Sequence, residues 1–175
     1  MENGVILRNK TLILGNAAVG KTLLVSSFHN NQQLPPNYSM TLHSEISIKA
    51  VNIPDTNVTV ELYVHDIGGN DVFQEYAPKY VESFKSLSKW LAILKHIKTL
   101  KHCKGILVAT KIDQTHRRAV SKAEGEEFAR QNSLAYFETS VADGIDVDAP
   151  FYYAAYSFYE RFEAQVKATI KSVEL

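Results

Sequence analysis

The order of apolar and polar positions divides the chain into short alternating runs and longer helical stripes. Thr11, Leu12, Ile13 and Leu14 read as a buried strand, and Lys21 to Phe28 as the opening of a helix. From Glu45 to Ile53 the residues alternate, with Ile46, Ile48 and Ala50 on one face before Val51 and Ile53 break the register. Val58, Val60, Leu62 and Val64 then alternate with Thr59, Glu61, Tyr63 and His65. Alternation with a period of two marks a half-buried strand. Pro54-Asp55-Thr56-Asn57 between the runs is turn chemistry, so the pair predicts an antiparallel hairpin. His29 to Asn37 is polar, and Pro35-Pro36 forbids helix there. Asp71 to Glu82 reads as helix, broken at Pro78. Ser83 to His102 has a stronger helical pattern, with Phe84, Leu87, Trp90, Leu91, Leu94 and Ile97 on one stripe. Gly105 to Ala109 predicts a buried parallel strand. Ser121 and Glu124 have capping-box spacing and open a helix to about Asn132. Leu134 to Glu138 forms a further strand, and Pro150 suits the first turn of a long final helix. Strands and helices in alternation predict a mostly parallel sheet with helices on both faces.

Composition changes this picture little. A chain of 175 residues suits one domain. Nineteen Lys and Arg balance nineteen Asp and Glu, which gives no electrostatic argument for nucleic acid or an anionic membrane. The single cysteine, Cys103, excludes an internal disulfide and reads as an ordinary thiol despite its neighbour His102. No stretch approaches the ~18 apolar residues of a membrane span, and no signal peptide is visible. The last residues carry no cysteine to prenylate, so no direct lipid anchor is expected and a membrane role would need a partner.

The candidate chemistry is concentrated at strand ends. Gly15-Asn-Ala-Ala-Val-Gly-Lys-Thr22 fits the phosphate-loop pattern Gly-x-x-x-x-Gly-Lys-[Ser/Thr], between a strand and a helix. Glycines allow the tight turn and the close approach of backbone to ligand. N–H groups along Gly15, Ala18, Val19 and Gly20 would meet phosphate oxygens at the positive end of the following helix dipole. Lys21 supplies a point charge, and the Thr22 hydroxyl can ligate Mg²⁺. Asp66-Ile67-Gly68-Gly69 stands at the carboxyl end of the second hairpin strand, where open α/β sheets bind ligands. A carboxylate at Asp66 can orient Mg²⁺, and Gly69 can offer its N–H to a terminal phosphate. Thr110-Lys111-Ile112-Asp113 follows another buried strand. Asp113 would accept the two neighbouring N–H groups that guanine offers and adenine lacks; the Lys111 stem could pack on the base face. Taken alone, that tetrapeptide reads better as an ordinary loop with solvated Lys and Asp.

In order and placement these motifs resemble those of the small GTPases, over most of the chain. The resemblance implies a phosphate-loop NTPase fold of the small G-domain type, one domain over residues 1–175, and GTP or GDP with Mg²⁺ as ligands. Thr41 lies where the first switch places its Mg²⁺- and γ-phosphate-sensing threonine, so the resemblance assigns Thr22, Thr41 and Asp66 to the metal. Thr110, Lys111 and Asp113 resemble the guanine motif, and Glu138-Thr139-Ser140-Val141-Ala142 resembles the loop whose backbone meets the guanine oxygen through Ser140, Val141 and Ala142. Asn52-Ile53-Pro54-Asp55-Thr56, Val58 to Leu62 and Asp148-Ala149-Pro150-Phe151 carry a narrower resemblance, to the Rab-like GTPase subunit of intraflagellar transport complex B. That implies complex-B partners, among them a small β-sandwich subunit, and a cytoplasmic place in a cilium or flagellum.

Departures from the pattern carry their own expectations. Asn70 occupies the position of the water-positioning glutamine and is one methylene shorter. Ala17 stands where fast hydrolysers carry glycine, so any GTP hydrolysis should be slow. Ala142 replaces a lysine and thins one wall of the base pocket. Tyr80-Val81-Glu82 meets Ser83-Phe84-Lys85 without the apolar run that a central strand of the family needs. Omitted residues, a spliced or mis-assembled gene, or a remodelled five-stranded sheet would each explain this. Loss of that strand would leave two edges unpaired or force them together. A scaffold that binds no nucleotide is therefore the alternative function; a phosphate-loop kinase using ATP is a weaker one, since Arg117-Arg118 is the only adjacent arginine pair. On the final helix Phe151, Ala155, Phe158 and Phe162 make a core stripe. Tyr152, Tyr156 and Tyr159 lie beside it, as a docking face for a protein partner or as a broad core face with wet hydroxyls.

Overall fold

Among the described residues five strands and four α-helices follow the alternation of the sequence: β1 (Val5–Ile13), α1 (Lys21–His29), β2 (Ser44–Asn52), β3 (Val58–Ile67), α2 (Leu87–His96), β4 (Gly105–Ala109), α3 (Lys122–Gln131), β5 (Leu134–Glu138) and α4 (Ala149–Val173). The computed structural model describes residues 4–31, 41, 44–68, 83–96 and 103–173. Asp71 to Glu82, the expected Pro35-Pro36 loop and Ile97 lie outside them.

The hairpin forms as its alternation requires, with β2 antiparallel to β3 and Val51 opposite Val60. On its other side β3 pairs parallel with β1, and this register sets Ile13 opposite Asp66. The chain therefore leaves β1 beside the carboxylate at the end of β3. Val60, Leu62 and Val64 are at most 1% exposed. They face Leu24, Val25 and Phe28 of α1 and Phe151 and Ala155 of α4 in one apolar cluster. Phe28 stacks on Phe151 with ring centroids 4.1 Å apart and planes 6° from parallel. Each such fully buried side chain contributes roughly 1.5–3 kcal/mol, which pins α1, and the loop before it, to the sheet.

The capping box is present on α3: Glu124 N–H donates to Ser121 Oγ at 3.2 Å, and Ser121 N–H donates to Glu124 Oε2 at 2.8 Å. Ser121→Ala should lower the unfolding free energy by about 1 kcal/mol, read from urea denaturation at an unchanged m-value. The long final helix opens where Pro150 directed it, with Asp148 O accepting from the N–H groups of Phe151 and Tyr152.

Two expectations fare differently. The strand expected at Thr11 begins at Val5, and it is not uniformly buried: Ile6 is 58% and Leu12 39% exposed. The sheet is also divided. β1, β3 and β2 form one sheet, β4 and β5 a separate parallel pair. Among the described residues no strand lies between β1 and β4, and a cavity of about 950 Å³ separates them. Among the described residues the two edges are thus not forced together. This explains why β4, read as a fully buried strand, is only half-buried throughout: one of its edges faces the cavity instead of a neighbour.

A candidate phosphate and base site at the carboxyl ends of the strands

The phosphate-loop sequence turns through two glycines in left-handed conformations, Gly15 at φ 146° and Gly20 at φ 106°. A side chain at either position would strain the backbone. Gly20 also caps α1, whose first residue is Lys21. Lys21 is 9% exposed, and its ammonium donates to the carbonyls of Gly15 and Asn16, both at 2.9 Å. Burial lowers its pKa from 10.5, with the Asp66 charge pulling the other way.

Thr22, Thr41 and Asp66 come together from three separate parts of the sequence. Thr22 Oγ1 lies 2.6 Å from Thr41 Oγ1 and donates to Asp66 Oδ2. Asp66 is 2% exposed, and its second oxygen, Oδ1, is buried without a hydrogen-bond partner. Two hydroxyls and an under-satisfied carboxylate form a hard oxygen donor set, which is what Mg²⁺ takes. The residues present fit that ion.

The loop after β4 is joined to the phosphate loop. Thr110 Oγ1 donates to Val19 O at 2.5 Å, and Lys111 Nζ donates to Ala18 O at 2.7 Å. Lys111, expected to lie along a base, here also braces the phosphate loop. Asp113 Oδ1 accepts from Ser140 Oγ at 2.8 Å. Ser140 and Thr139 are fully buried, and Ser140 Oγ accepts from the N–H of Asp143 at 3.1 Å. Ser140 pairs with Ile145 across a short turn that holds Val141 and Ala142, the latter exposed. Thus Gly15, Ala18, Val19, Gly20, Thr41, Asp66, Thr110, Lys111, Asp113, Ser140, Val141 and Ala142 lie in loops or strand ends, and Lys21 and Thr22 in the first turn of α1, on one side of the fold. Gly69 and Asn70 lie outside the described residues.

Reading the sequence missed the role of Asn16. Its side-chain oxygen accepts from Trp90 Nε1 at 2.9 Å and from Ser86 Oγ at 2.8 Å, tying the phosphate loop to α2. The signal was present in the apolar stripe of α2, where an indole N–H needs a partner. Trp90 is the only tryptophan. Asn16→Ala should therefore red-shift its emission by several nanometres, and nucleotide addition should change wild-type emission but leave the variant's response weaker. A fluorimeter titration decides it.

This arrangement, a strand–loop–helix phosphate cradle beside an oxygen-rich metal corner and a carboxylate-bearing base loop, defines a Ras-like small G domain. The Ras family model matches residues 76–160, and the model of Roc, the Ras-of-Complex domain of DAPkinase, matches residues 10–113. The chain is 33% identical to the intraflagellar transport protein 27 homolog of Mus musculus over 178 residues, covering 93% of this chain and 96% of that protein. It is also 33% identical to intraflagellar transport protein 27 of Chlamydomonas reinhardtii, over 93% and 89% of the two chains, and 31% identical to the human Ras-related protein Rab-30, over 81% and 75%. The chain belongs to the Rab-like small GTPases, in the branch of intraflagellar transport protein 27.

Proposed function

We propose that the chain is a guanine-nucleotide-dependent binding module of intraflagellar transport, with slow GTP hydrolysis. The observation that carries this reading is the bracing of the phosphate loop by the base loop, through Thr110 to Val19 and Lys111 to Ala18. It joins the loop before Lys21 to the loop that runs from Thr110 to Asp113 despite the gap between the two sheets. In this reading Lys21 and the loop N–H groups, with Gly69, hold the phosphates, and Asp113 with the Ser140–Ala142 backbone selects guanine. Mg²⁺ held by Thr22, Thr41 and Asp66 would neutralise charge between the phosphates. Thr41 and Gly69 would sense the terminal phosphate, ordering two switch segments for partner binding.

The test is to purify the protein with Mg²⁺, denature it and identify released nucleotide by ion-exchange chromatography. Stoichiometric GDP or GTP is expected. No nucleotide, and no uptake of added GTP, would favour the second reading, a nucleotide-free scaffold, which the divided sheet supports. Hydrolysis is slow because Asn70 falls short of the attacking water. Asn70→Gln should raise the single-turnover rate by about tenfold or more.

The relatives' names point to intraflagellar transport; the proposed partners are transport-complex subunits in a cilium or flagellum, among them a small β-sandwich protein, and among the described residues no helix is long and apolar enough to cross a membrane. On α4, Tyr156 and Tyr159 pack against the core, and Tyr159 donates to Glu163 at 2.8 Å. Tyr152 is the exposed one of the three, and Phe162, Val166 and Ile170 continue an exposed stripe along the helix. The docking face on this helix is therefore Tyr152 with that stripe, while Tyr156 and Tyr159 serve the core.

A further inference from the structure

The segments after β4 and β5 are tied to each other at two points. At the first, Ser140 Oγ donates to Asp113 Oδ1 at 2.8 Å. At the second, Arg118 Nη2 donates to Glu138 Oε1, while Arg118 Nε donates to the carbonyl of Val120 at 2.8 Å. Between Asp113 and Arg118 the chain makes a tight arc. Thr115 N–H donates to Asp113 O, Arg117 N–H to Gln114 O and Arg118 N–H to Thr115 O, at 3.0, 2.9 and 3.2 Å. Both ends of the arc are therefore held by the same short stretch, Glu138 at the end of β5 and Ser140 just beyond it.

A second donor fixes Glu138. The Tyr136 hydroxyl donates to the same Oε1 at 2.8 Å, and it lies against α3, where a Cβ on Gly125 would come within 2.7 Å of it. Glycine weakens a helix interior relative to alanine; here the missing methyl leaves room for the tyrosine. The side chains of Arg118 and Glu138 are 31% and 18% exposed, so water screens the pair only in part. The hydrogen bond from Arg118 holds the Glu138 carboxyl below its usual range, against the opposing effect of burial. The contact is therefore charge-assisted at neutral pH.

We infer that Arg118, Glu138, Tyr136 and Gly125 are positioning residues for guanine: they fix the far end of the arc whose first residue carries the Asp113 carboxylate. The inference rests on the reading of Asp113 as the group that accepts from the base. A carboxylate must line up with two neighbouring N–H groups at once, and hydrogen bonds weaken steeply with misalignment. Release of the arc at Arg118 leaves Asp113 held through Ser140 alone and free to turn. The phosphates are met by a different loop and do not feel that turn. The cluster thus sets how long guanine stays and how sharply its exocyclic amine is read.

The experiment follows release of a fluorescent GDP analogue from the full chain in Mg²⁺, and competition for that probe by GDP and by inosine diphosphate, which lacks the exocyclic amine. Arg118→Met keeps most of the stem and should release GDP about tenfold faster, the equivalent of one weakened hydrogen bond to a charged group. Its preference for GDP over inosine diphosphate should fall several-fold, with the melting temperature within a few degrees of wild type. Arg118→Lys restores the charge without the planar fork and should recover part of both losses. Gly125→Ala should also speed release, although alanine is the better helix former; a brace that served stability alone would give slower release there. Unchanged release and preference in Arg118→Met would overturn the inference, as would equal losses for the two nucleotides accompanied by a fall in melting temperature. Wild-type protein that takes up no GDP would overturn the nucleotide reading and this inference with it, whereas normal uptake with unaltered variants would overturn the inference alone.

Discussion

Lys21→Met is expected to weaken GDP and GTP binding about a thousandfold, measured by titration with a fluorescent nucleotide in Mg²⁺. Methionine keeps most of the aliphatic stem and removes only the charge and its three donors. A hydrogen bond to a charged group contributes about 1.5–3 kcal/mol, and the ammonium would meet two phosphate oxygens, so a loss of about 4 kcal/mol follows, or three factors of ten. A second cost reinforces it: Lys21 Nζ now holds the carbonyls of Gly15 and Asn16 inward, and without it the loop loses the anchor that keeps its curvature. Unaltered circular dichroism and a melting temperature within a few degrees of wild type would exclude unfolding as the cause. Binding within about tenfold of wild type would show that the phosphate charge is met elsewhere.

Asp113→Asn should exchange specificity rather than abolish binding. The carboxylate offers two acceptors to the adjacent N1 and N2 donors of guanine. An amide offers one acceptor and one donor, which suits xanthine, whose position 2 carries an oxygen. Leaving buried polar groups unpaired gives discrimination of about 10⁴ or more, so GTP affinity should fall by at least about a hundredfold while xanthosine triphosphate gains. The substitution also keeps an acceptor for Ser140 Oγ, which now bonds Asp113 Oδ1 at 2.8 Å, so the turn holding Val141 and Ala142 should remain in place. Competition between the two nucleotides for one fluorescent probe measures both effects at once. Equal losses for both would mean that residue 113 supports the loop and does not read the base.

Local rules account for most of what was legible in the chain. The hairpin, β4, β5, the capping box of α3 and the proline-led start of α4 depend on periodicity and on residues a few positions apart, and they stand where the pattern put them. The phosphate loop was legible because its glycines serve backbone angles that other residues resist. One reading went astray and another was decided for a common reason. β1 extends back to Val5 through Arg8, Asn9 and Lys10, which no apolar run would mark. It is held there by nine register pairs with β3, a partner about fifty positions away. For Tyr156 and Tyr159, which the sequence left open between a docking face and a broad core face, the structure shows packing against the core, because the rotation of α4 on the sheet is set by Phe151 and Ala155.

By itself the sequence determined the elements, the phosphate loop and the membership of the small GTPases, all of which follow from residues close together in the chain or from patterned spacing. Only the tertiary structure decided that Thr22, Thr41 and Asp66 converge, that Asn16 clasps Trp90, and that Thr110 and Lys111 brace the phosphate loop across the gap between two sheets. Those contacts join residues nineteen to ninety-three positions apart. Their partners are chosen by which surfaces meet once the core has closed, and no local propensity encodes that choice.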